Sequence, residues 1–322
     1  MAPSSSGRNR PPTAFVGLTD WDWFERLRAE PSLDEVNFWQ PSSGGGFAAL
    51  QPGEPLLFKL HKPRDRIAGC GFFAHYSRLP VTLAWEAFGV KNGVGSLDEM
   101  RYRIQRYRRA SSAGPEDYEI GCVVLEQPVF LDESSWIDAP EWKPNIQRGR
   151  TYRLDQEPGM TMWQAIEMRL RTRKLDEAGI GDALHEPMTP RYGSPVFTSP
   201  RLGQGSFQVA VVDAYQRRCA VSGEKVLPVL EAAHIKPYAD GGEHRVDNGL
   251  LLRSDIHTLF DRGYLTITPG LEVAVSKRLQ TEFNNGAEYL AMAGRRLNPP
   301  TRPDQRPNPD FLDWHNDHRF VG

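Results

Sequence analysis

Short apolar runs, separated by glycine, proline and polar residues, recur along the chain and predict many strands and helices of modest length. The clearest pattern lies in the second half of the chain. Residues 229–235 are apolar enough for a buried strand, Asp240-Gly241-Gly242 predicts a turn, and an apolar triplet follows Asn248-Gly249. Ser254 or Asp255 can cap the helix that comes next. This stretch therefore predicts a two-stranded hairpin followed by a helix.

Polar side chains occupy chemically suggestive positions in this hairpin and helix. His234 ends the first strand, and His257 and Asp261 are four residues apart, so they share one helix face. An imidazole facing such a pair suits metal-assisted phosphodiester hydrolysis: one group deprotonates water, and a divalent ion stabilises charge on the phosphate and the leaving oxygen. The alternative is a capping Asn248 and two ordinary histidines. The joint spacing with Gly-Gly, Asn-Gly and Phe-Asp-Arg-Gly favours the catalytic interpretation.

The stretch 231–263, EAAHIKPYADGGEHRVDNGLLLRSDIHTLFDRG, resembles the HNH nuclease motif of the ββα-metal fold. By this resemblance, His234 would be the general base, and Asn248 would tie the loop that orients it. His257 and Asp261 would bind the metal ion from the helix.

One position departs from that family pattern. Many members carry Asp or His directly before the base as a further metal ligand, whereas this chain has Ala233. Glu231, two residues earlier on the same strand face, would substitute, or water would fill the gap. The base assignment follows from the resemblance more directly than the number of metal ligands does.

Length and composition set the class of protein. The 322 residues suggest two domains, and 39% hydrophobic and 25% charged residues are ordinary for a soluble globular protein. The net charge of −2 gives no bulk attraction to nucleic acid, so DNA contacts must come from local basic patches. Three widely spaced cysteines provide neither a disulfide framework nor a four-cysteine zinc site.

The chain also carries no sign of export or membrane insertion. No apolar run approaches the ~20 residues of a membrane span. Residues 1–11 lack the apolar stretch of a secretory signal and are expected to be a disordered lead. A cytoplasmic location and no membrane partner are expected.

Residues 12–170 are expected to form a first, α+β domain. Strands are predicted near residues 14–18, 35–40, 55–61, 67–75, 118–127 and 151–154. Thr19-Asp20 is expected to cap a helix, and Ser96 to Glu99 has the form of a capping box in which Glu99 reaches back to the Ser96 amide. Met100, Ile104 and Tyr107 are expected to form the inward face of that second helix.

This order of elements resembles an EVE domain of the PUA-like superfamily. The likeness covers residues 13 to about 131 and is carried by TAFVGLTDWDWF, VNFWQ, ALQPGEPLLFKLH and RIAGCGFF. It implies a twisted β-barrel with flanking helices. Such domains resemble the SRA-type readers, which hold a flipped-out modified base between aromatic side chains and polar edges.

Aromatic and polar residues at strand ends and loop mouths are candidates for such a base pocket. Stacking on an aromatic ring is worth about 1–3 kcal/mol per base, and a polar edge would discriminate a substituent. The alternative is that most of these rings are core residues, with Trp39 as the preferred exception because it precedes a glycine-rich loop. The candidates are Trp21, Trp23, Asn37, Phe38, Trp39, His75 and Tyr76.

Basic residues form the candidate DNA-backbone contacts. The predicted helix after Ser96 is the densest basic segment, which is equally compatible with a phosphate-contacting stripe and with a solvated helical face. Two further arginines end a helix in the second domain, where the helix dipole explains them as well. The candidates are Arg101, Arg103, Arg106, Arg108, Arg201, Arg217 and Arg218.

Residues 171–198 are polar and rich in glycine and proline, and are expected to be an inter-domain linker after a helix at 163–174. Residues 199–322 are expected to form the nuclease domain. It would contain a helix opening at Phe207, a hairpin around Pro269-Gly270, and a last helix capped by Asn308. His315 and His318 are expected to be surface histidines.

Together these features predict an α+β, two-domain enzyme: a modification-dependent, type IV-like restriction endonuclease that flips and reads a modified cytosine. The expected partner is double-stranded DNA, and double-strand cutting would call for a homodimer. The expected cofactor is a divalent cation, with Mg²⁺ first and Mn²⁺, Ni²⁺ or Co²⁺ as alternatives. Two alternatives stay open: a first domain that reads a backbone modification or a sequence, and a catalytically weak nucleic-acid-binding module.

Overall fold

A computed structural model describes residues 10–42, 44–108, 117–177 and 203–322. The chain divides into two compact units, Met1–Pro200 and Arg201–Gly322. Three parts of the sequence predictions lie outside the described residues: positions 1–9 of the lead, the linker from 178 onward, and Arg201.

In the described part of the first unit, seven strands form one sheet. They are β1 (Thr13–Thr19), β2 (Glu35–Gln40), β3 (Pro55–Leu60), β4 (Arg66–Pro80), β5 (Glu119–Phe130), β6 (Ile137–Asp138) and β7 (Gly149–Arg153). Their order is β2-β5-β4-β3-β1-β7, with β6 paired to β4. The β1–β3 pair is parallel and the other pairs are antiparallel, and no described pair joins β2 to β7.

Aliphatic and aromatic side chains together form the core of this unit, against the sheet. β5 is buried on both faces from Ile120 to Leu125, as its continuous apolar sequence predicts. Trp23 contacts the Phe58 ring edge-on at a centroid distance of 5.2 Å, and Phe24 contacts Phe130 in the same way at 5.3 Å. Edge-to-face packing lets large rings fill the space without voids.

Among the described residues of this unit, four α-helices flank the sheet: α1 (Trp21–Ala29), α2 (Val81–Phe88), α3 (Leu97–Tyr107) and α4 (Gly159–Glu177). The N-terminal cap of α3 is confirmed, since the Ser96 hydroxyl accepts a hydrogen bond from the Glu99 amide. Glu99 instead accepts from the Gly95 amide, one residue earlier than predicted. Tyr107 is 56% exposed, so its assignment to the inward face was wrong.

The helix α4 is longer than its sequence pattern predicts. It begins at Gly159 and continues to Glu177, so residues 171–177 of the predicted linker are helical. Two single-turn 3-10 helices, Gly89–Asn92 and Glu133–Ser135, complete the described elements of the first unit.

The second unit contains two hairpins and five α-helices. The strands are β8 (Leu230–His234), β9 (Gly249–Arg253), β10 (Leu265–Ile267) and β11 (Val273–Val275). The helices are α5 (Gln204–Ala214), α6 (Ser254–Asp261), α7 (Arg278–Phe283), α8 (Ala287–Leu290) and α9 (Pro309–His318). Single 3-10 turns lie at Leu227–Val229, Tyr238–Asp240, Val246–Asn248 and Pro303–Gln305.

The predicted hairpin and helix are confirmed in this unit. β8 and β9 are antiparallel with His234 opposite Gly249, and α6 follows β9 directly. The N-cap of α6 is Arg253 and no side chain caps the helix, so the predicted cap by Ser254 or Asp255 was wrong. Asp255 instead accepts two hydrogen bonds from the Arg253 guanidinium.

The last helix, α9, closes the core of the second unit. Asn308 caps it as predicted, because its side chain accepts from the Asp310 amide. Leu312 is fully buried. His315 is only 2% exposed, so its expected surface position was wrong, whereas His318 is exposed and stacks on Trp314. The three cysteines are free and buried.

Among the described residues, no helix has both the length and the apolar character needed to cross a membrane.

Candidate functional site

Asn248 holds together the loop that joins β8 to β9. Its side-chain oxygen accepts from the Lys236 amide at 2.9 Å, and its side-chain nitrogen donates to the carbonyls of Lys236 and Glu243, also at 2.9 Å. The residue is fully buried. Three bonds from one buried amide fix the loop just after His234, because each lost bond would leave a partly buried polar group without its partner.

His234 lies at the end of β8 against the helix α5. Its imidazole stacks on the Phe207 ring with the ring centres 3.9 Å apart and the planes 13° apart. Gly249 permits this contact, since a Cβ there would lie 2.4 Å from Val211 of α5. The close approach of α5 to the hairpin therefore depends on a residue without a side chain.

The helix α6 brings a second imidazole to the same region. His257 Nδ1 lies 2.6 Å from Glu231 Oε2 on β8, and His257 Nε2 lies 3.3 Å from Asp261 Oδ2 one helical turn later. When Nδ1 carries the proton and donates to Glu231, the Nε2 lone pair faces a carboxylate oxygen. Two acceptors in that position attract a cation between or beside them.

These groups line one cavity of about 550 Å³. Its walls include Glu231, His234, His257 and Asp261 together with the guanidinium-bearing Arg319. The tertiary structure thus brings together on one concave surface the proposed base and all three proposed metal-binding residues. Asn248 lies outside the lining and acts through the loop.

The electrostatic environment keeps His234 neutral. Burial, followed by the neighbouring His244 and His257, lowers the pKa of His234 to about 4. At neutral pH the imidazole therefore has a free lone pair with which to accept a proton. Burial raises the pKa of the Asp261 carboxyl above its ordinary value, while His257 and Arg319 act in the opposite direction.

No group of three or more His, Cys, Asp or Glu side chains in the described part of the chain is arranged to hold a metal ion. His257 instead contacts Glu231 with one ring nitrogen and Asp261 with the other. The chemistry of this set nevertheless fits a divalent cation, since carboxylate oxygens and imidazole nitrogens are the donors that Mg²⁺, Mn²⁺ and Zn²⁺ accept. Ala233 is buried in the core and provides no donor atom.

Sequence reasoning missed three residues beside this cavity. His244 Nδ1 lies 2.9 Å from His234 Nε2, Phe207 covers the His234 ring, and Arg319 lines the wall and donates to Asp240. Only His244 carried a sequence signal, because it lies in the same polar loop as Gly-Gly and Asn248. Phe207 reaches the site from α5, and Arg319 reaches it from the end of α9.

A second cavity, of about 600 Å³, lies in the first unit. Trp23, Phe38 and Trp39 line it, and these are three of the seven proposed base-pocket residues. Trp39 is held by its indole nitrogen, which donates to the Asn92 carbonyl at 3.0 Å. An aromatic wall fixed in this way can support a stacked planar ligand.

The other four proposed pocket residues do not line this cavity. Asn37 is fully buried and donates to the Asn92 side chain. Trp21 packs against Phe24 and Trp136, with the Arg64 guanidinium 3.4 Å from its ring centre. His75 and Tyr76 lie on β4, paired with β5.

The cavity also has a polar wall that the sequence did not suggest. The Tyr107 hydroxyl contacts both carboxylate oxygens of Asp20 at 2.8 and 2.9 Å, and His61 Nε2 lies 3.4 Å from the same carboxylate. All three line the cavity with Gln40. Burial and the Asp20 charge raise the pKa of Tyr107 to about 12, so the phenol stays protonated and donates a hydrogen bond to Asp20.

The basic residues of α3 differ in their availability. Arg103 pairs with Glu99 at 2.7 Å and Arg101 lies 3.7 Å from Asp98, whereas Arg106 is exposed. Arg108 stacks over Tyr118 and lines the cavity of the first unit. In the second unit Arg217 is half-buried with a left-handed backbone, and Arg218 is exposed.

The comparisons with known proteins agree with this geometry. Residues 219–268 match the sequence model of a family described as HNH endonuclease. The match contains the hairpin, the loop and the helix α6. The second unit therefore contains an HNH endonuclease domain, and the protein is a DNA endonuclease.

Solved structures give weaker likenesses. The ASCH protein of Zymomonas mobilis has a TM-score of 0.31 and 9% identity, covering 48% of this chain and 94% of that one. The modification-dependent TagI restriction endonuclease has a TM-score of 0.29 and 14% identity, covering 91% of this chain and 78% of that one. A search of curated protein sequences gives no match.

Proposed function

We propose that this protein is a modification-dependent restriction endonuclease in which the second unit hydrolyses DNA and the first unit captures a modified cytosine. The observation that carries the nuclease half is the cavity shared by His234, Glu231, His257 and Asp261. The aromatic cavity of the first unit supports the recognition half.

His234 is the proposed general base. Its pKa of about 4 leaves the imidazole unprotonated at neutral pH, so it can accept a proton from water as the oxygen attacks the phosphorus atom. The Phe207 ring and the Asn248-tied loop hold the imidazole in position. General base catalysis of this kind contributes about 10²–10⁴-fold to a rate.

His257 Nε2 and Asp261 are the proposed ligands of a divalent cation, with Mg²⁺ first and Mn²⁺, Ni²⁺ or Co²⁺ as alternatives. Bound there, the ion would supply charge stabilisation at the scissile phosphate and the leaving oxygen. Glu231 contacts Nδ1 of His257, the nitrogen opposite the metal-facing one, so its role would be to orient the imidazole. Its second carboxylate oxygen would remain available to the ion or its waters.

The first unit is proposed to hold a flipped-out base between Trp39 and its aromatic neighbours. A cavity of about 600 Å³ falls within the usual range for small planar ligands. Asp20, fixed by Tyr107, would accept a hydrogen bond from an exocyclic amino group, which cytosine has and thymine lacks. Arg106, in the last turn of α3, and Arg108, just after that helix, flank Tyr107 and would contact the flanking phosphates.

Cutting both DNA strands would need two nuclease sites, because one HNH site acts on one strand. A second copy of this chain is the simplest source of the second site, so a homodimer on DNA is proposed. Arg217 and Arg218, after α5, are the proposed backbone contacts of the nuclease domain.

Digestion of otherwise identical DNA duplexes tests this proposal. Duplexes with cytosine, 5-methylcytosine or 5-hydroxymethylcytosine are incubated with the full chain and Mg²⁺ or Mn²⁺, or with chelator. The proposal is supported if a modified duplex is cleaved only with metal and if His234→Ala abolishes this cleavage. His318→Ala, at an exposed histidine, is the matched control.

Three outcomes would contradict parts of the proposal. Equal cleavage of all three duplexes would refute cytosine-modification dependence and favour a first unit that reads another DNA feature. Retained cleavage by His234→Ala with an intact fold would remove the base assignment. If no DNA is cleaved in the presence of metal, the nuclease half is refuted and the protein would be a nucleic-acid-binding module.

Recognition is tested separately by binding. Trp39→Ala is expected to weaken binding to the modified duplex by about 5- to 150-fold, because base–aromatic stacking is worth about 1–3 kcal/mol. Tyr102→Ala is the control, since Tyr102 is 64% exposed on α3 and lies outside the cavity lining. Equal affinities of the two variants would show that the cavity does not hold the base.

A further inference from the structure

The contact between His234 and His244 determines which nitrogen of the proposed base can accept a proton. His234 Nε2 lies 2.9 Å from His244 Nδ1, a distance at which one imidazole must donate and the other accept. His234 Nδ1 makes no hydrogen bond to any residue that the structure describes, and His234 lines the nuclease cavity. The two nitrogens of this ring therefore have different surroundings.

His244 is held in place by a second aromatic contact. The Tyr238 ring stacks on it with the centres 4.8 Å apart and the planes 8° apart. Phe207 lies 5.7 Å from the same imidazole and stacks on His234. Two aromatic rings thus support the pair of histidines, which favours one fixed geometry over a rotating side chain.

We propose that His244 is a positioning residue that keeps the proton of neutral His234 on Nε2, so that the Nδ1 lone pair is presented to the attacking water. This inference rests on the proposed nuclease function of the same cavity. His234 Nε2–H donates to His244 Nδ1, and His244 carries its own proton on Nε2.

The proton balance of the step follows from this arrangement. As the water oxygen bonds to phosphorus, one water proton passes to His234 Nδ1. The leaving oxygen keeps the electron pair of the broken P–O bond and takes a proton from solvent water. The resulting imidazolium still donates a hydrogen bond from Nε2–H to neutral His244, and this bond stabilises the new positive charge. If His244 donated instead, the imidazolium would face an N–H group and the contact would become repulsive.

Nitrogen NMR of the full-length protein, with ¹⁵N-labelled histidine, tests the tautomer without any measurement of cleavage. The expected result is protonated Nε2 and unprotonated Nδ1 for His234. In His244→Phe the ring contact with Tyr238 is kept but the acceptor is lost, so His234 is expected to become a mixture of tautomers. His244→Gln restores an acceptor and is expected to recover most of the Nε2–H form.

Kinetics gives the second readout. His244→Phe is expected to lower kcat about 10- to 100-fold with KM within twofold, and His244→Gln to recover at least part of that loss. His318→Phe is the matched control, because His318 also stacks on an aromatic ring, Trp314, but lies outside the cavity lining. It is expected to leave both constants unchanged.

Two results would overturn the inference: an Nδ1–H tautomer of His234 in the unmodified protein, or an unchanged Nε2–H tautomer in folded His244→Phe. A chain that cleaves no DNA would refute the proposed nuclease function while the NMR result still decides the role of His244. The two failures are therefore distinguishable.

Discussion

His257 Nδ1 lies 2.6 Å from Glu231 Oε2, although 26 residues separate the two in the chain. This contact joins the helix α6 to the strand β8 and points the opposite nitrogen, Nε2, toward Asp261. A carboxylate behind a histidine fixes the ring orientation and increases the basicity of the nitrogen that faces a metal ion. In the proposed metal site, Glu231 would thereby compensate in part for Ala233, which has no donor atom.

Glu231→Ala is expected to weaken Mn²⁺ binding by about 10- to 100-fold, because the imidazole of His257 loses its orienting partner. Glu231→Gln retains an oxygen that can accept a hydrogen bond from His257 Nδ1–H, so its affinity for Mn²⁺ is expected to fall less. Isothermal titration calorimetry of the full chain with Mn²⁺ measures both. Glu272→Gln, an exposed residue on the other hairpin, is the control, and equal losses in Ala and Gln variants would argue for Glu231 as a direct ligand.

Asn248→Ala is expected to reduce the free energy of unfolding by about 2–4 kcal/mol, since three hydrogen bonds are lost and partly buried backbone groups stay unpaired. Asn248→Asp is expected to be at least as destabilising at neutral pH, because a carboxylate would face the carbonyls of Lys236 and Glu243. Urea denaturation measures both. Asn285→Ala, at an exposed site, is expected to change stability by less than about 0.5 kcal/mol, and a similarly small effect at Asn248 would contradict the loop-tying role.

Acid is expected to destabilise the second unit through its buried histidines. Burial lowers the pKa of both His234 and His315 to about 4, below the ~6.5 of an unfolded chain. Between these values the unfolded chain binds more protons, so stability is complete above about pH 6.5 and is lost as the pH falls toward 4.

His315→Gln tests this pH dependence. The imidazole of His315 contacts Thr266 Oγ1 and the Phe260 carbonyl, and a glutamine can keep a polar contact there without titrating. The fall in Tm between pH 7 and pH 4.5 is expected to be smaller in His315→Gln than in the unmodified protein. His318→Gln is expected to leave that fall unchanged, and identical profiles for all three proteins would refute the assignment.

Glu126→Gln is expected to raise the Tm of the first unit by about 2–6 °C above pH 8. Glu126 is 1% exposed, has no hydrogen-bond partner for either oxygen among the described residues, and lies opposite Glu35 in the sheet. Burial, then Glu35 and Asp34, raises its pKa to about 8, so stability falls as the pH rises from about 4.3, the unfolded value, through 8.

The neutral amide of Glu126→Gln does not ionise, so this variant is not expected to lose stability as the pH rises. Thermal unfolding from pH 5 to pH 9 measures the Tm of both proteins, with Glu133→Gln, at an exposed site, as the control. A lower Tm at high pH in Glu126→Gln would show that the carboxylate is stabilised by a contact that the glutamine cannot make.

The local elements of the nuclease domain could be predicted from patterns along the chain. The hairpin, the helix with His257 and Asp261 on one face, and the Asn308 cap all depend on neighbours within a few residues, which apolar periodicity and cap chemistry report directly. The same reasoning failed at Tyr107 and His315, because their burial depends on which distant element packs against them.

Contacts between residues far apart in the chain could not be predicted from these patterns. The stacking of Phe207 on His234, the contact of His244 with the same imidazole, and the Asp20–Tyr107 wall of the first cavity join residues from separate elements or loops. Such contacts depend on the packing of whole helices and strands, and a close approach such as that of Val211 to Gly249 leaves no periodic signal in the chain. Local spacing therefore predicted the chemistry of the site, and packing determined its geometry.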